Sequence, residues 1–120
     1  MENATATDPM GMSDEDREKL FEEMKGKTPR EVRFAEMKEF GEWMIFRVPT
    51  RPEWRMYIAK RDGKDGDNDG PDFLLDTCVM YPDKKGLAAQ LDRRPGLFQK
   101  WTGEIVQSTG IIGEAVQKKL

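Results

Sequence analysis

Apolar positions along this chain come in short groups, and each group has its own period. Leu20, Phe21 and Met24 fall on one helical face, ahead of Gly26 and Thr28-Pro29. Ser13 followed by Asp14-Glu15-Asp16 supplies a capping hydroxyl and first-turn acids, which suit the outward-pointing N–H groups of a helix start. The spacing predicts a helix from 13 to about 26 with a narrow apolar face. Val32 and Phe34 then alternate within 31–37, the two-residue period of a strand. Residues 38–42 contain Gly41 and read as a turn. Trp43-Met44-Ile45-Phe46-Arg47-Val48 is the richest run of aromatic and branched side chains and predicts a second strand, antiparallel to the first. A hairpin alone is marginal in water, so other elements must cover one of its faces.

Helical periods supply that cover. Thr50 and Glu53 have the spacing of a capping box, and Pro52 is tolerated in a first turn that has no intrahelical use for its N–H. Trp54, Tyr57 and Ile58 share one face of this helix. Residues 62–72 are acidic and glycine-rich and read as a loop. A third helix is expected over about 72–81, with Leu74, Leu75, Cys78 and Val79 inward and Pro82 ending it. Asp83 can cap a fourth helix carrying Leu87, Ala88 and Leu91. Pro95-Gly96 forces a turn, and Leu97, Phe98, Trp101 and Ile105 mark a fifth helix that Gly110 interrupts. The expected fold class is α+β: a small antiparallel hairpin or sheet packed against about four helices. Residues 1–12 are polar and small and read as a flexible, disordered arm, 13–110 as the single domain, and 111–120 as a C-terminal helix or tail.

Composition narrows the function classes. The chain has 120 residues, a net charge of −3 and no histidine. Without histidine it lacks the usual neutral-pH base and the commonest metal ligand. Its single cysteine, Cys78, can form neither an internal disulfide nor a zinc site, which favours a reducing cytoplasm. Both charge signs are mixed along the chain, so no basic stripe argues for nucleic acid. No apolar run is long enough to span a bilayer, so no membrane role is expected.

Several residues invite a sharper chemical reading. Asp65-Gly66-Asp67-Asn68-Asp69-Gly70 fits the first half of a calcium loop, with Asp76 at position twelve. Against it stand Asp72 at position eight, where an apolar residue is usual, an aspartate in place of a bidentate glutamate at twelve, and Pro71-Asp72, which looks like a helix start. The alternative is a solvated linker. Cys78 lies on an apolar helical face with no adjacent base, as a small core residue would. Trp43, Trp54 and Trp101 are expected in the core, which a domain this small needs large side chains to close. Lys84-Lys85, Arg93-Arg94 and Lys118-Lys119 are dispersed among acids and read as solvated helix ends. Met24, Met37, Met44, Met56 and Met80 read as core filling. No residue is assigned a catalytic, cofactor-binding or metal-binding role.

The order of these pieces resembles a family. Arg47-x-Pro49-Thr50-x-x-Glu53-Trp54 follows a strand. Then come a variable loop, a helix ending Cys78-Val79-x-Tyr81-Pro82, and Leu87-x-x-x-Leu91-x-x-Arg94-Pro95-Gly96-Leu97. This pattern resembles the tail assembly chaperones of tailed bacteriophages and Mu-like prophages, over about 32–110. The resemblance implies a small non-enzymatic protein of the host cytoplasm that binds a tape-measure or tail-tube protein during virion assembly. The acidic stretch 62–72 has no counterpart in that pattern. Two other classes compete: a small structural virion component of the tail or head-completion kind, and a calcium-binding regulator.

Overall fold

The computed structural model describes residues 11–110. The expectations for 111–120 and for most of the arm, 1–10, lie outside these residues. Three strands form one antiparallel sheet in the order β1 (Val32–Met37), β2 (Glu42–Arg47), β3 (Val79–Tyr81). The fold is α+β, as expected, but the hairpin has a third strand. A short 3-10 turn, Lys38–Phe40, joins β1 to β2 and closes at Gly41, whose φ of 68° lies in the left-handed region open to glycine. β2 is the central strand, and Glu42 through Phe46 are all buried.

Because side chains alternate across a strand, β2 feeds two layers. Met44 and Phe46 join Ala35 in the larger core, together with Tyr57 from α2 (Arg51–Arg61), Leu74, Leu75 and Cys78 from α3 (Gly66–Cys78), Leu87 from α4 (Lys84–Arg93), and Leu97, Trp101 and Ile105 from α5 (Leu97–Ser108). Trp43 and Ile45 point the other way, toward α1 (Asp14–Lys25), and form a smaller cluster with Met24. Leu20, Phe21 and Met12 pack against it, so the last residue of the expected arm is part of the packed structure. On this outer face Phe34, Trp43 and Tyr81 stack in a row across the three strands, with ring centroids 5.6 and 5.2 Å apart. The Arg17 guanidinium of α1 lies over Phe34 and Trp43 and bonds Glu36.

Caps hold the helices where the sequence places them. Ser13 Oγ accepts from Asp16 N, and Asp83 Oδ1 accepts from Gly86 N. The acidic stretch departs from expectation. It is loop only to Asp65; α3 starts at Gly66, six residues earlier than 72, and runs through Pro71. The reason is tertiary. Gly66 and Gly70 lie one turn apart and are buried against the end of α2. A Cβ at Gly66 would sit 1.6 Å from the Arg61 carbonyl oxygen, and one at Gly70 would sit 3.2 Å from the Tyr57 ring. Bare backbone lets α2 and α3 approach closely, and that packing overrides the poor helix propensity of Gly-Asp-Asn-Asp-Gly-Pro. At the other end α3 stops at Cys78, three residues before Tyr81, because Val79–Tyr81 pairs with β2. The Tyr81–Pro82 peptide that follows is cis.

Candidate functional site

Four of the residues that carry the family resemblance, Arg47, Thr50, Glu53 and Cys78, meet at the junction of β2, α2 and α3. Arg47, the last residue of β2, donates from both guanidinium termini to Glu53, at 2.8 and 2.7 Å, and from Nη2 to the Thr77 carbonyl at 3.2 Å. Glu53 Oε1 also accepts from Thr50 N at 2.8 Å, while Thr50 Oγ1 accepts from Glu53 N, which completes the capping box. One carboxylate thus caps α2 and anchors the strand, and the same guanidinium reaches the last turn of α3. The Arg47 hydrogen bonds hold the Glu53 carboxyl well below its ordinary range, at about 2. Cys78 stands beside this junction at the end of α3, fully buried, and burial pushes its thiol up to about 12. A thiol so held is protonated and packed, which removes it as a nucleophile.

Trp43 and Trp101 are fully buried, as expected. Trp54 is only partly buried, a correction to its expected place in the core. Tyr57, one turn further along α2, takes the inward position over Gly70, and Trp54 tilts against it with centroids 5.2 Å apart. The methionines divide. Met24 and Met44 are buried and Met37 and Met80 partly so, but Met56 is 48% exposed and fills no core.

The aspartates of the calcium pattern do not converge. A helix turns about 100° per residue, so Asp67 and Asp69 leave α3 about 200° apart. A calcium loop needs a non-helical turn to aim alternate residues at one point. Asp65 Oδ1 accepts instead from Asn68 Nδ2 at 3.1 Å, and Asp76 pairs with Lys84 at 2.7 Å. Among the described residues no group of three or more His, Cys, Asp or Glu side chains is arranged to hold a metal ion. Of the basic pairs, Lys84 is taken by Asp76, Arg93 by Glu42, and Arg94 by the face of Phe40, 4.1 Å from its centroid. Lys118-Lys119 lies outside the described residues. No helix of these residues is long and apolar enough to cross a membrane.

A buried polar network links β2 to the helical layer. Glu42, 2% exposed, accepts from Arg93 Nε at 3.1 Å, from Arg93 Nη2 at 2.9 Å and from Gln90 Nε2 at 3.2 Å. Gln90 Nε2 also donates to the Trp43 carbonyl at 3.0 Å, and Gln90 Oε1 accepts from Trp101 Nε1 at 3.0 Å. Sequence reading places Glu42 in a turn and passes over Gln90. The available signal is position: Gln90 follows Leu87 by three residues on the apolar face of α4.

The surface between α3 and α4 holds a groove of about 350 Å³. Its floor is Leu75, Val79, Leu87 and Leu91, and its border carries Asp72, Asp76, Asp83 and Lys84. No family model, no curated protein and no solved structure matches the chain.

Proposed function

We propose that this protein is a non-enzymatic assembly chaperone for a phage tail protein, of the tape-measure or tail-tube kind. One observation supports the reading: four of the residues on which the family resemblance rests lie together. Arg47, Thr50 and Glu53 form a single hydrogen-bonded junction, and Cys78 packs beside it. The part of the pattern from Arg47 to Cys78 is thereby a structural junction, which is compatible with a shared fold. The chemistry agrees: the chain has no histidine, and its one thiol is buried and protonated. The mechanism is mass action. The chaperone covers apolar segments of the tail protein until polymerisation displaces it.

The test is co-expression with tape-measure and tail-tube proteins from the same source, followed by analysis of purified particles. The expected result is soluble partner only when this chain is present, and no copy of it in finished virions. Failure to keep the partner soluble, with stoichiometric amounts in mature particles, moves the assignment to a structural virion component.

A further inference from the structure

We infer that the groove between α3 and α4 docks an amphipathic helix of a partner protein whose apolar stripe is flanked by lysine or arginine. The partner's identity rests on the chaperone reading; the chemistry of the groove does not.

Shape supplies the first argument. One wall is Leu75 in the last turn of α3 followed by Val79, the first residue of β3; the other is Leu87 and Leu91, four apart on α4. The α4 row has helical spacing, and the space of about 350 Å³ beside it admits a few anchoring side chains. A helix inserting residues at i and i+3 or i+4 can lay them along the α4 row.

Charge supplies the second and selects the occupant. Asp69, Asp72 and Asp76 recur at i, i+3 and i+7, so they form a stripe about 10 Å long down one side of α3. Asp72 and Asp76 belong also to the groove border, where Asp83 adds a further carboxylate from α4. Two ammonium groups face them. Lys84 pairs with Asp76, and Lys60 borders the stripe while resting over the Phe73 ring. On the groove border three carboxylates stand against the one ammonium of Lys84, with Asp69 and Lys60 just beyond it, so the rim is net negative. A cationic flank on the incoming helix is favoured, and an acidic one meets like charge as the groove dries.

Exposed Ala88 gives a clean test, since it lines the groove on the outer side of α4. Ala88→Arg blocks the space and adds one positive charge at a helix position that tolerates arginine. Glu15→Gln on α1 changes net charge equally, away from the groove. The probes are two synthetic amphipathic helices of equal length, one with a leucine stripe flanked by lysines and one with the same stripe flanked by glutamates. They are titrated against the full chain by fluorescence anisotropy. The lysine peptide is expected to bind about tenfold more tightly than its glutamate twin, and more weakly as salt rises. Ala88→Arg is expected to cost about tenfold, and Glu15→Gln less than about twofold. No saturable binding of the lysine peptide, equal affinity for both peptides, or equal losses in both variants overturns the assignment. So does a concentration-dependent dimer that Ala88→Arg abolishes, because a second copy then owns the groove. Peptide binding at the groove without rescue of the tail proteins by wild type leaves the docking chemistry standing and removes the chaperone reading. Rescue that survives Ala88→Arg, without peptide binding, does the reverse.

Discussion

Gly66→Ala places a methyl group where α3 meets the end of α2. Its Cβ would lie 1.6 Å from the Arg61 carbonyl oxygen, with the carbonyl carbon at 2.5 Å. All the nearest atoms are backbone, so no side chain can rotate away. Ordinary contact requires about 3.5 Å, so the helices must part locally by about 2 Å. A gap of half that size already forfeits a quarter to a half of the dispersion energy of the atoms it separates. Against this, alanine returns about 1 kcal/mol of helix propensity. The expected net is a loss of about 3 kcal/mol, at the upper end of overpacking costs. Gly70→Ala is the internal control. Its Cβ meets Arg61 and Tyr57 at 3.1–3.2 Å, a few tenths too close. Relief there needs a shift of only a few tenths of an ångström from Arg61 and the Tyr57 ring, so propensity and crowding nearly cancel, within about 1 kcal/mol. Urea denaturation followed by circular dichroism reads both variants through their midpoints at unchanged slope. If Gly66→Ala is as stable as Gly70→Ala, or stabilises as an exposed glycine replacement does, the close α2–α3 contact is refuted.

Three further outcomes follow from the junction and the network. Glu53 has a folded-state pKa of about 2 against an ordinary 4.5, so its contribution is fully present above pH 4.5 and is lost as pH falls from there toward 2. Glu53→Gln should therefore cost about 2 kcal/mol at pH 7, after allowance for partial solvent screening, and the gap to wild type should close in acid; a gap independent of pH would falsify the pairing. Arg93→Ala leaves the Glu42 carboxylate buried without its cation, an expected loss of about 3 kcal/mol, and the double replacement Glu42→Gln/Arg93→Met should recover much of it. A purely additive double variant would show that the two groups do not interact. Cys78, with its thiol pushed up to about 12, presents about one thiolate in ten thousand at pH 8, so a disulfide exchange reagent should react only after denaturant is added; prompt reaction of the native protein contradicts the packing.

What was legible in the sequence is local. The Ser13 and Asp83 caps and the Thr50–Glu53 box connect residues three apart, so spacing alone reveals them. The β1–β2 hairpin reads from alternation and one glycine. What was hidden depends on distant neighbours. Residues 66–71 have the composition of a loop, and only contact with Arg61 and Tyr57 makes their glycines an asset to a helix. Val79–Tyr81 continues the apolar pattern of α3, and only pairing with Ile45 and Phe46 turns it into a strand. At the candidate site, the order of motif residues was readable, but the Arg47 bonds to Glu53 and to the Thr77 carbonyl were not. Neither was the groove, whose walls come from helices read separately.

The placement of Glu42 bears on how the chain folds. Its carboxylate lies in the central strand, and its partners Gln90 and Arg93 are 48 and 51 residues away. A hairpin formed early would have to keep this charge hydrated, so its first residue pair could not yet be dry. Burial becomes favourable only once α4 delivers the amide and the guanidinium. Sheet completion is thereby made conditional on helix docking, and a half-built sheet has no dry resting state. Such long-range dependence slows the search, because the loop must close before any energy is returned. It also couples the two layers, so that sheet and helices are expected to form and melt as one cooperative unit.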